Sequence, residues 1–158
     1  MRDKPKYCLD TSSLITAWRV NYRPDNFDSV WDKVSEYGKL GLIISPMEVF
    51  EEIQKKDDEL AKWVKRNKHP YSEIPETSQE KITEVLNKFP RLIDVDNPSI
   101  QADPYVIVLA EVNNCTVITE ERPDNATRKK TKIPTVCHHY GIKWMSFADM
   151  IAAEKWKF

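Results

Sequence analysis

The stretch KYCLDTSS, residues 6–13, joins a short apolar run to an acid and then to three hydroxyl side chains. An apolar run that stops on an acid and turns into a helix brings a carboxylate to the end of a β-strand. In open α/β sheets, ligands bind outside the carboxyl ends of the strands. We therefore predict a strand over residues 6–9, a helix directly after it, and Asp10 at the ligand-binding edge. The simpler alternative is that Asp10 only caps that helix.

Three further apolar runs alternate with helical stretches along the chain. They cover residues 42–44, 115–119 and 142–145. Short, almost fully apolar strands separated by helices are typical of a parallel sheet that is covered on both faces. The sequence therefore predicts an α/β fold with three layers, α/β/α, around a central, mostly parallel sheet of four to five strands. We assign residues 1–158 to a single domain and residues 69–75 to a loop.

Polar residues and glycine mark several predicted helix ends. Ser45-Pro46 is expected to open a helix, with serine as the N-cap and proline at the first helical position. Asp103-Pro104 has the same pattern, so Asp103 could simply cap the helix that follows it. Ser146 is expected to cap the last helix of the chain. Gly38 is expected to end an amphipathic helix that begins near residue 25.

The composition is typical of an ordinary globular domain. The 158 residues are 41% hydrophobic and 31% charged, and the formal net charge is −1. No apolar stretch is long enough to span a bilayer. Near-neutral charge excludes a basic nucleic-acid coat protein, so any contact with nucleic acid must come from a local patch. The basic run RKKTK, residues 128–132, is the clearest candidate, although a solvated loop is an equally simple interpretation.

The cysteines indicate the cellular compartment. There are three of them, Cys8, Cys115 and Cys137, and the first two lie in apolar surroundings. An odd number of cysteines in apolar settings suits buried free thiols in a reducing compartment. We therefore expect a cytoplasmic protein.

Three further acids are predicted to lie near Asp10. The carboxyl ends of parallel strands and the N-termini of the helices that follow them share one edge of the sheet. Glu52, Asp103 and either Glu120 or Glu121 all fall at this edge. Carboxylates repel each other, so a cluster of them usually holds a hard cation. Taken singly, each acid could equally be a helix cap or a solvated residue.

Helical phase selects one glutamate from the helix that follows residue 46. Measured from the centre of its apolar face, Glu52 lies about 105° away, Glu48 about 145° and Glu51 about 155°. Glu52 is therefore expected to look across the sheet edge, while Glu51 faces solvent and Glu48 lies one turn below. The alternation of side chains along a strand cannot separate Glu120 from Glu121 in the same way, because both faces of a parallel strand are buried.

Four segments of the chain resemble the PIN domain, the nuclease fold shared by VapC-type toxins and several RNA-processing enzymes. Residues 7–12 resemble its opening strand, which ends on an acid followed by Thr and Ser or Asn. Residues 45–53 resemble its V-x-x-E-I helix, residues 102–105 its A-D helix, and residues 117–121 its strand ending in T-x-D. The order and spacing agree over almost the whole chain. The departure is Glu121, which stands where the family has aspartate.

The resemblance implies a divalent-metal ribonuclease. Asp10, Glu52 and Asp103 would hold Mg²⁺ or Mn²⁺, and Glu121, one methylene longer than aspartate, would join them directly or through water. Five further residues would orient these carboxylates or the waters bound beside them: Thr11, Ser12, Glu48, Thr119 and Glu120. RNA would be the substrate, and basic loop residues would grip its backbone: Arg128, Lys129, Lys130 and Lys132. The likeness to toxins further implies an antitoxin partner, and PIN-domain toxins are commonly homodimers.

A rival interpretation keeps the fold but not the catalysis. A PIN-like module that binds RNA or a protein partner without cleaving RNA needs no complete set of metal ligands. Glu121 in place of aspartate is the feature that favours this rival. Metal-dependent cleavage of RNA separates the two interpretations.

Overall fold

A computed structural model describes residues 4–56, 58–94, 96, 101–123 and 130–158. Within these residues, the centre of the molecule is a five-stranded sheet with the strand order β3-β2-β1-β4-β5, and every neighbouring pair is parallel. The strands are β1 (Tyr7–Leu9), β2 (Ile43–Pro46), β3 (Tyr71–Ser72), β4 (Thr116–Ile118) and β5 (Trp144–Met145). The predicted α/β fold with a central parallel sheet is confirmed.

Helices flank the sheet and form the outer layers of the α/β/α fold. Those described are α1 (Thr11–Thr16), α2 (Pro24–Leu40), α3 (Met47–Gln54), α4 (Glu59–Arg66), α5 (Gln79–Lys88), α6 (Asp103–Asn113), α7 (Ile133–Tyr140) and α8 (Phe147–Glu154). A π-helical turn, Ala17–Asn21, continues α1. No helix in the described part of the chain is both long enough and apolar enough to cross a membrane.

β1 and α6 form the middle of the core. All three residues of β1 are buried, as expected for a parallel strand covered on both faces. In α6, every residue from 106 to 110 is buried, and the helix lies against β1 and β2. The three cysteines are buried free thiols, as predicted. Because β1 lies between β2 and β4, Asp10 emerges at the centre of the sheet edge.

The fifth strand lies where the sequence predicted a loop. β3 occupies Tyr71–Ser72, inside residues 69–75, and its two residues pair with Ser45 and Pro46. The amide of Ser45 also donates a hydrogen bond to the carbonyl of Pro70, at 2.9 Å. Two residues are too few to show strand periodicity. β3 therefore exists because β2 offers it a partner, which is a tertiary effect.

Two of the predicted helix starts differ in the structure. Ser45 belongs to β2 rather than capping α3, and its buried hydroxyl donates to the carbonyl of Leu9 at 2.6 Å. Pro46 is the N-cap of α3 instead. Asp103 is the first residue of α6 rather than its N-cap, which is Ala102, and its carboxylate accepts a hydrogen bond from Lys130. Ser146 caps α8 as predicted, because its hydroxyl oxygen accepts the amide of the third residue of that helix at 3.1 Å.

Gly38 does not end α2, although the sequence predicted that it would. The helix continues to Leu40 and ends at Gly41, which adopts a left-handed conformation with φ 81°. A Cβ atom at position 38 would lie 3.1 Å from the Pro70 Cδ atom. Gly38 therefore allows the close approach of Pro70, while Gly41 caps the helix.

Glu154 fastens the last helix to the beginning of the chain. Its carboxylate accepts hydrogen bonds from the Tyr7 hydroxyl, from the Tyr37 hydroxyl at 2.6 Å and from the Lys6 ammonium at 3.1 Å. Burial alone would raise the pKa of Glu154, but these three donors together lower it. The ionised carboxylate thus ties α8 to β1 and α2.

Candidate functional site

Four of the predicted acids line one cleft at the carboxyl end of the sheet. We call it the acid cleft, and its volume is about 530 Å³. The acids come from four separate segments: Asp10 after β1, Glu52 on α3, Asp103 at the start of α6 and Glu121 after β4. Seven other residues complete the lining: Thr11, Ser12, Ile15, Lys55, Lys56, Gln101 and Lys130. Residues far apart in the sequence thus converge at the edge predicted from the strand ends.

Asp10 caps α1 and also lines the acid cleft. Its carboxylate accepts hydrogen bonds from the Ser13 amide at 2.7 Å, from the Ser12 hydroxyl at 2.8 Å and from the Thr119 hydroxyl. The side chain is almost fully buried, since Asp10 is only 1% exposed. Burial raises the pKa of Asp10 to about 7, even though the Thr119 and Ser13 hydrogen bonds oppose this rise; the charge of Asp103 adds to it. Asp10 is therefore a helix cap that also lines the acid cleft, and its role as a site residue stays a prediction.

Asp103 carries an ion pair with a lysine. The Lys130 Nζ atom lies 3.0 Å from the Asp103 Oδ2 atom. Burial raises the pKa of Asp103, the neighbouring Lys130 lowers it, and the charge of Glu52 raises it further. The repulsion from Glu52 indicates that the carboxylates of the acid cleft interact electrostatically.

The two glutamates of the acid cleft are each held by a backbone amide. Glu52 accepts the amide of Ala102 at 2.6 Å, which joins α3 to the start of α6. Glu121 accepts the amide of Ile133, the first residue of α7, at 2.9 Å. Burial raises the pKa of Glu121, the charge of Asp103 raises it further, and the Ile133 amide opposes both.

The structure separates Glu120 from Glu121, which the sequence could not do. Glu120 points away from the acid cleft, because its carboxylate accepts the amide of Phe147 at 3.0 Å, at the start of α8. Its own amide donates to the Ser12 hydroxyl at 3.2 Å. Glu121 lines the acid cleft. Neighbouring side chains of an extended segment point to opposite sides, but which one faced the site depended on the position of α8.

Glu48 lies away from the acid cleft, although the sequence suggested it as a neighbour of Glu52. Burial raises the pKa of Glu48, and the nearby charges of Glu51 and Glu73 raise it further. Its Oε1 atom is buried without a hydrogen-bond partner among the described residues. One helical turn is enough to bring Glu48 to a different group of acids from the one that contains Glu52.

The supporting hydroxyls lie where the sequence suggested. Thr119 and Ser12 both donate to Asp10, and their own oxygens lie 3.3 Å apart. Thr11 lines the acid cleft, and its buried Oγ1 atom has no hydrogen-bond partner in the described part of the chain. Buried hydroxyls are nearly always paired. The unpaired Thr11 hydroxyl is therefore an exception among the hydroxyls around Asp10.

The chemistry of the acid cleft fits a hard divalent cation. Four carboxylates supply the oxygen ligands that Mg²⁺ and Mn²⁺ prefer. Within the described ranges, no three Asp, Glu, His or Cys side chains already converge closely enough to hold an ion. The oxygens of the four acids instead accept hydrogen bonds from three backbone amides, from the hydroxyls of Ser12 and Thr119 and from Lys130. Ion binding would therefore require the carboxylates to turn toward each other.

The predicted RNA-binding residues fall into two groups. Arg128 and Lys129 lie outside the described residues. Lys130 lines the acid cleft, and Lys132 is the half-buried N-cap of α7. The charges of both lysines lower the pKa of Asp103 and Glu121, so both lysines interact electrostatically with these two acids.

Two lysines at the rim of the acid cleft were missed by the sequence analysis. Lys55 and Lys56 are exposed residues that follow α3 and line the cleft. Their position directly after the helix that carries Glu52 was the available signal. Exposed lysines beside a cluster of acids add local positive charge at the entrance of the cleft.

Comparisons with known proteins do not assign an activity. The model of a protein family described as "Domain of unknown function (DUF4411)" matches residues 7–158. No curated protein matches the chain. Among solved structures, the crystal structure of PAE2754 from Pyrobaculum aerophilum is similar, with a TM-score of 0.41 and 15% sequence identity over 87% of this chain and 97% of that chain. The chemistry of the site therefore has to be argued from its own side chains.

Proposed function

The chain belongs to the DUF4411 family, and we propose that it is a divalent-metal-dependent endoribonuclease that hydrolyses RNA phosphodiester bonds in the acid cleft. One observation carries this proposal. Four carboxylates from four segments line a single cleft at the carboxyl end of a parallel sheet. Gathering carboxylates in a partly buried cleft costs free energy, and a bound divalent cation offsets that cost.

Mg²⁺ or Mn²⁺ is the cofactor that this set of oxygen donors suits. When bound, such an ion acidifies an attacking water and neutralises charge on the scissile phosphate. Asp10, Glu52 and Asp103 would hold the ion, and Glu121 would do so directly or through water. Ser12 and Thr119 fix the orientation of Asp10 by donating to its carboxylate. Hydrogen bonds of this kind orient metal-binding side chains.

Exposed lysines of the acid cleft provide for the binding of RNA. Lys55 and Lys56 at the rim supply positive charge to attract the phosphate backbone. Binding through such contacts weakens as salt concentration rises.

The PIN-domain resemblance extends the proposal to a biological role. It suggests that the protein is the toxin of a toxin–antitoxin pair, that an antitoxin protein is its partner and that it forms a homodimer. The three buried free thiols support a reducing, cytoplasmic setting for this role.

The second candidate function is a PIN-like module that binds RNA or a protein partner without efficient catalysis. Two features favour it. Glu121 stands where the PIN-domain pattern has aspartate, and the Lys130–Asp103 ion pair engages one of the proposed ligands. Both candidates use the same cleft. They differ in whether metal-dependent cleavage occurs.

A cleavage assay tests the proposal. Purified protein is incubated with an end-labelled structured RNA and Mn²⁺, and EDTA is added in a parallel reaction. We expect cleavage that EDTA abolishes. Glu52→Gln should lower the rate by at least about 100-fold, because a metal ligand is lost. Glu51→Gln is the matched control, since this neighbouring glutamate does not line the cleft, and it should keep the wild-type rate.

Two results would contradict the ribonuclease proposal. One is cleavage that persists in excess EDTA. The other is equal activity of the Glu52→Gln and Glu51→Gln variants. RNA binding without any cleavage over a range of Mn²⁺ concentrations would instead favour the non-catalytic module.

A further inference from the structure

Lys130 reaches into the acid cleft and bonds one of its acids. Its Nζ atom lies 3.0 Å from the Asp103 Oδ2 atom, and its side chain is 37% exposed. Burial alone would lower the pKa of Lys130, but attraction to Asp103, Glu121 and Glu52 raises it. The ammonium group is therefore charged and interacts with three of the four acids.

The backbone beside Lys130 is held against the rest of the protein. The amide of Thr131 donates to the carbonyl of Arg91 at 2.9 Å, and the amide of Ile133 donates to the Glu121 carboxylate at 2.9 Å. These two hydrogen bonds anchor the segment directly after Lys130 at the edge of the cleft. The position of its side chain among the acids is thus supported by the fold.

We propose that Lys130 is an internal cation of the acid cleft, which holds Asp103 in the metal-free protein and must release it before a divalent ion can bind there. This inference rests on the proposed function, because it assumes that the four acids bind the ion. A lysine suits such an exchange: its ammonium is a compact charge on a flexible stem. After release, the same ammonium remains at the cleft and can pair with a phosphate of the RNA.

Two opposite effects follow from this arrangement. Removing the charge of Lys130 frees Asp103 and removes a repulsion against the incoming ion, so metal affinity should rise. It also removes a positive charge that would neutralise the RNA phosphate, so cleavage at saturating metal should fall. Loss of a true ligand, in contrast, lowers both quantities. The combination of tighter metal binding and slower cleavage is therefore specific to the proposed role.

Calorimetric titration of the metal-free protein with MnCl₂ tests the inference. We expect Lys130→Gln to bind Mn²⁺ about fivefold more tightly than the wild type, in line with a partly exposed ion pair. Lys130→Arg keeps the charge and should bind Mn²⁺ no more tightly than the wild type. Lys62→Gln is the matched control, because it removes a lysine that pairs with Glu59 at 3.1 Å but does not line the acid cleft, and its affinity for Mn²⁺ should stay near that of the wild type.

The outcomes separate this inference from the proposed function. If Lys130→Gln binds Mn²⁺ no more tightly than the wild type while Asp10→Asn abolishes binding, only the role of Lys130 is overturned. If the wild type itself binds no Mn²⁺, both proposals are overturned. Crystals of the wild type grown with Mn²⁺ give a second test that needs no variant. In them the Lys130 ammonium should lie beyond hydrogen-bond distance of Asp103. A Lys130–Asp103 ion pair that persists beside a bound ion would overturn the inference.

Discussion

Replacing the buried Asp10 by asparagine should stabilise the metal-free protein at neutral pH, although it removes a proposed metal ligand. Burial raises the pKa of Asp10 from 3.8 to about 7. Each pKa unit corresponds to about 1.4 kcal/mol, so ionising Asp10 in the folded protein costs up to about 4 kcal/mol. We expect a gain of about 1 to 4 kcal/mol in the free energy of unfolding, because asparagine also forgoes charge-assisted hydrogen bonds.

The pH dependence of this effect has a definite sign. Between about pH 4 and 7, the folded protein keeps a proton on Asp10 that the unfolded chain releases. The stability of the metal-free wild type should therefore fall as pH rises through this window, by about 2 to 3 kcal/mol between pH 5 and 8 for Asp10 alone. The Asp10→Asn variant lacks this contribution, and its amide oxygen can still accept the Ser13 amide.

Urea unfolding at pH 5 and pH 8, in EDTA, measures both effects. Asp58→Asn is the matched control, because Asp58 also caps a helix by accepting the Ala61 amide at 2.9 Å. That hydrogen bond and the Arg19 guanidinium lower the pKa of Asp58, so its replacement should cost about 0.5 to 1 kcal/mol at pH 8. If Asp10→Asn is less stable than the wild type at pH 8, the electrostatic account of the acid cleft is refuted.

Two further predictions concern the glutamates that the structure distinguishes. Glu121→Gln should lower Mn²⁺-dependent RNA cleavage by about 10- to 100-fold, as expected for a direct or water-mediated ligand. Glu120→Gln should keep the wild-type rate, because its amide oxygen still accepts the Phe147 amide. Equal losses of cleavage in the two variants would contradict this assignment. Glu154→Gln should lower the free energy of unfolding at pH 7 by about 1 to 3 kcal/mol, since it weakens charge-assisted hydrogen bonds to three donors. The pKa of Glu154 is lowered, so the stabilisation by this residue should be lost in acid, as pH falls and the carboxylate takes up a proton. If urea unfolding gives the variant the same stability as the wild type at pH 7, this prediction is wrong.

The sequence was sufficient for four of the five strands and for the convergence of the acids, because both follow from local patterns. An apolar run that ends on an acid is visible without any tertiary information, and parallel strands bring their carboxyl ends to one edge. For that reason Asp10, Glu52 and Asp103 could be placed together from residues 6–13 and from two helix starts. Helical phase then separated Glu52 from Glu51 correctly with respect to the lining of the cleft.

The features that the sequence missed depend on tertiary contacts. β3 is two residues long and is defined by its pairing with β2, so no periodicity could reveal it. Glu120 and Glu121 were indistinguishable until the start of α8 provided an amide for Glu120. The basic run suggested a solvated or RNA-binding loop, whereas Lys130 pairs with Asp103. In each case a partner far away in the chain decides the role of the residue.

A crystal structure of the wild type with Mn²⁺, using the anomalous signal of manganese, would show whether the four acids bind a divalent cation. We expect an anomalous peak inside the acid cleft, in direct contact with Asp10 and Asp103, with Glu52 and Glu121 bound directly or through water. Lys130 should have moved away from Asp103. Absence of a peak in the cleft at a saturating concentration of Mn²⁺, or a peak found only elsewhere on the protein, would exclude a metal site formed by these acids.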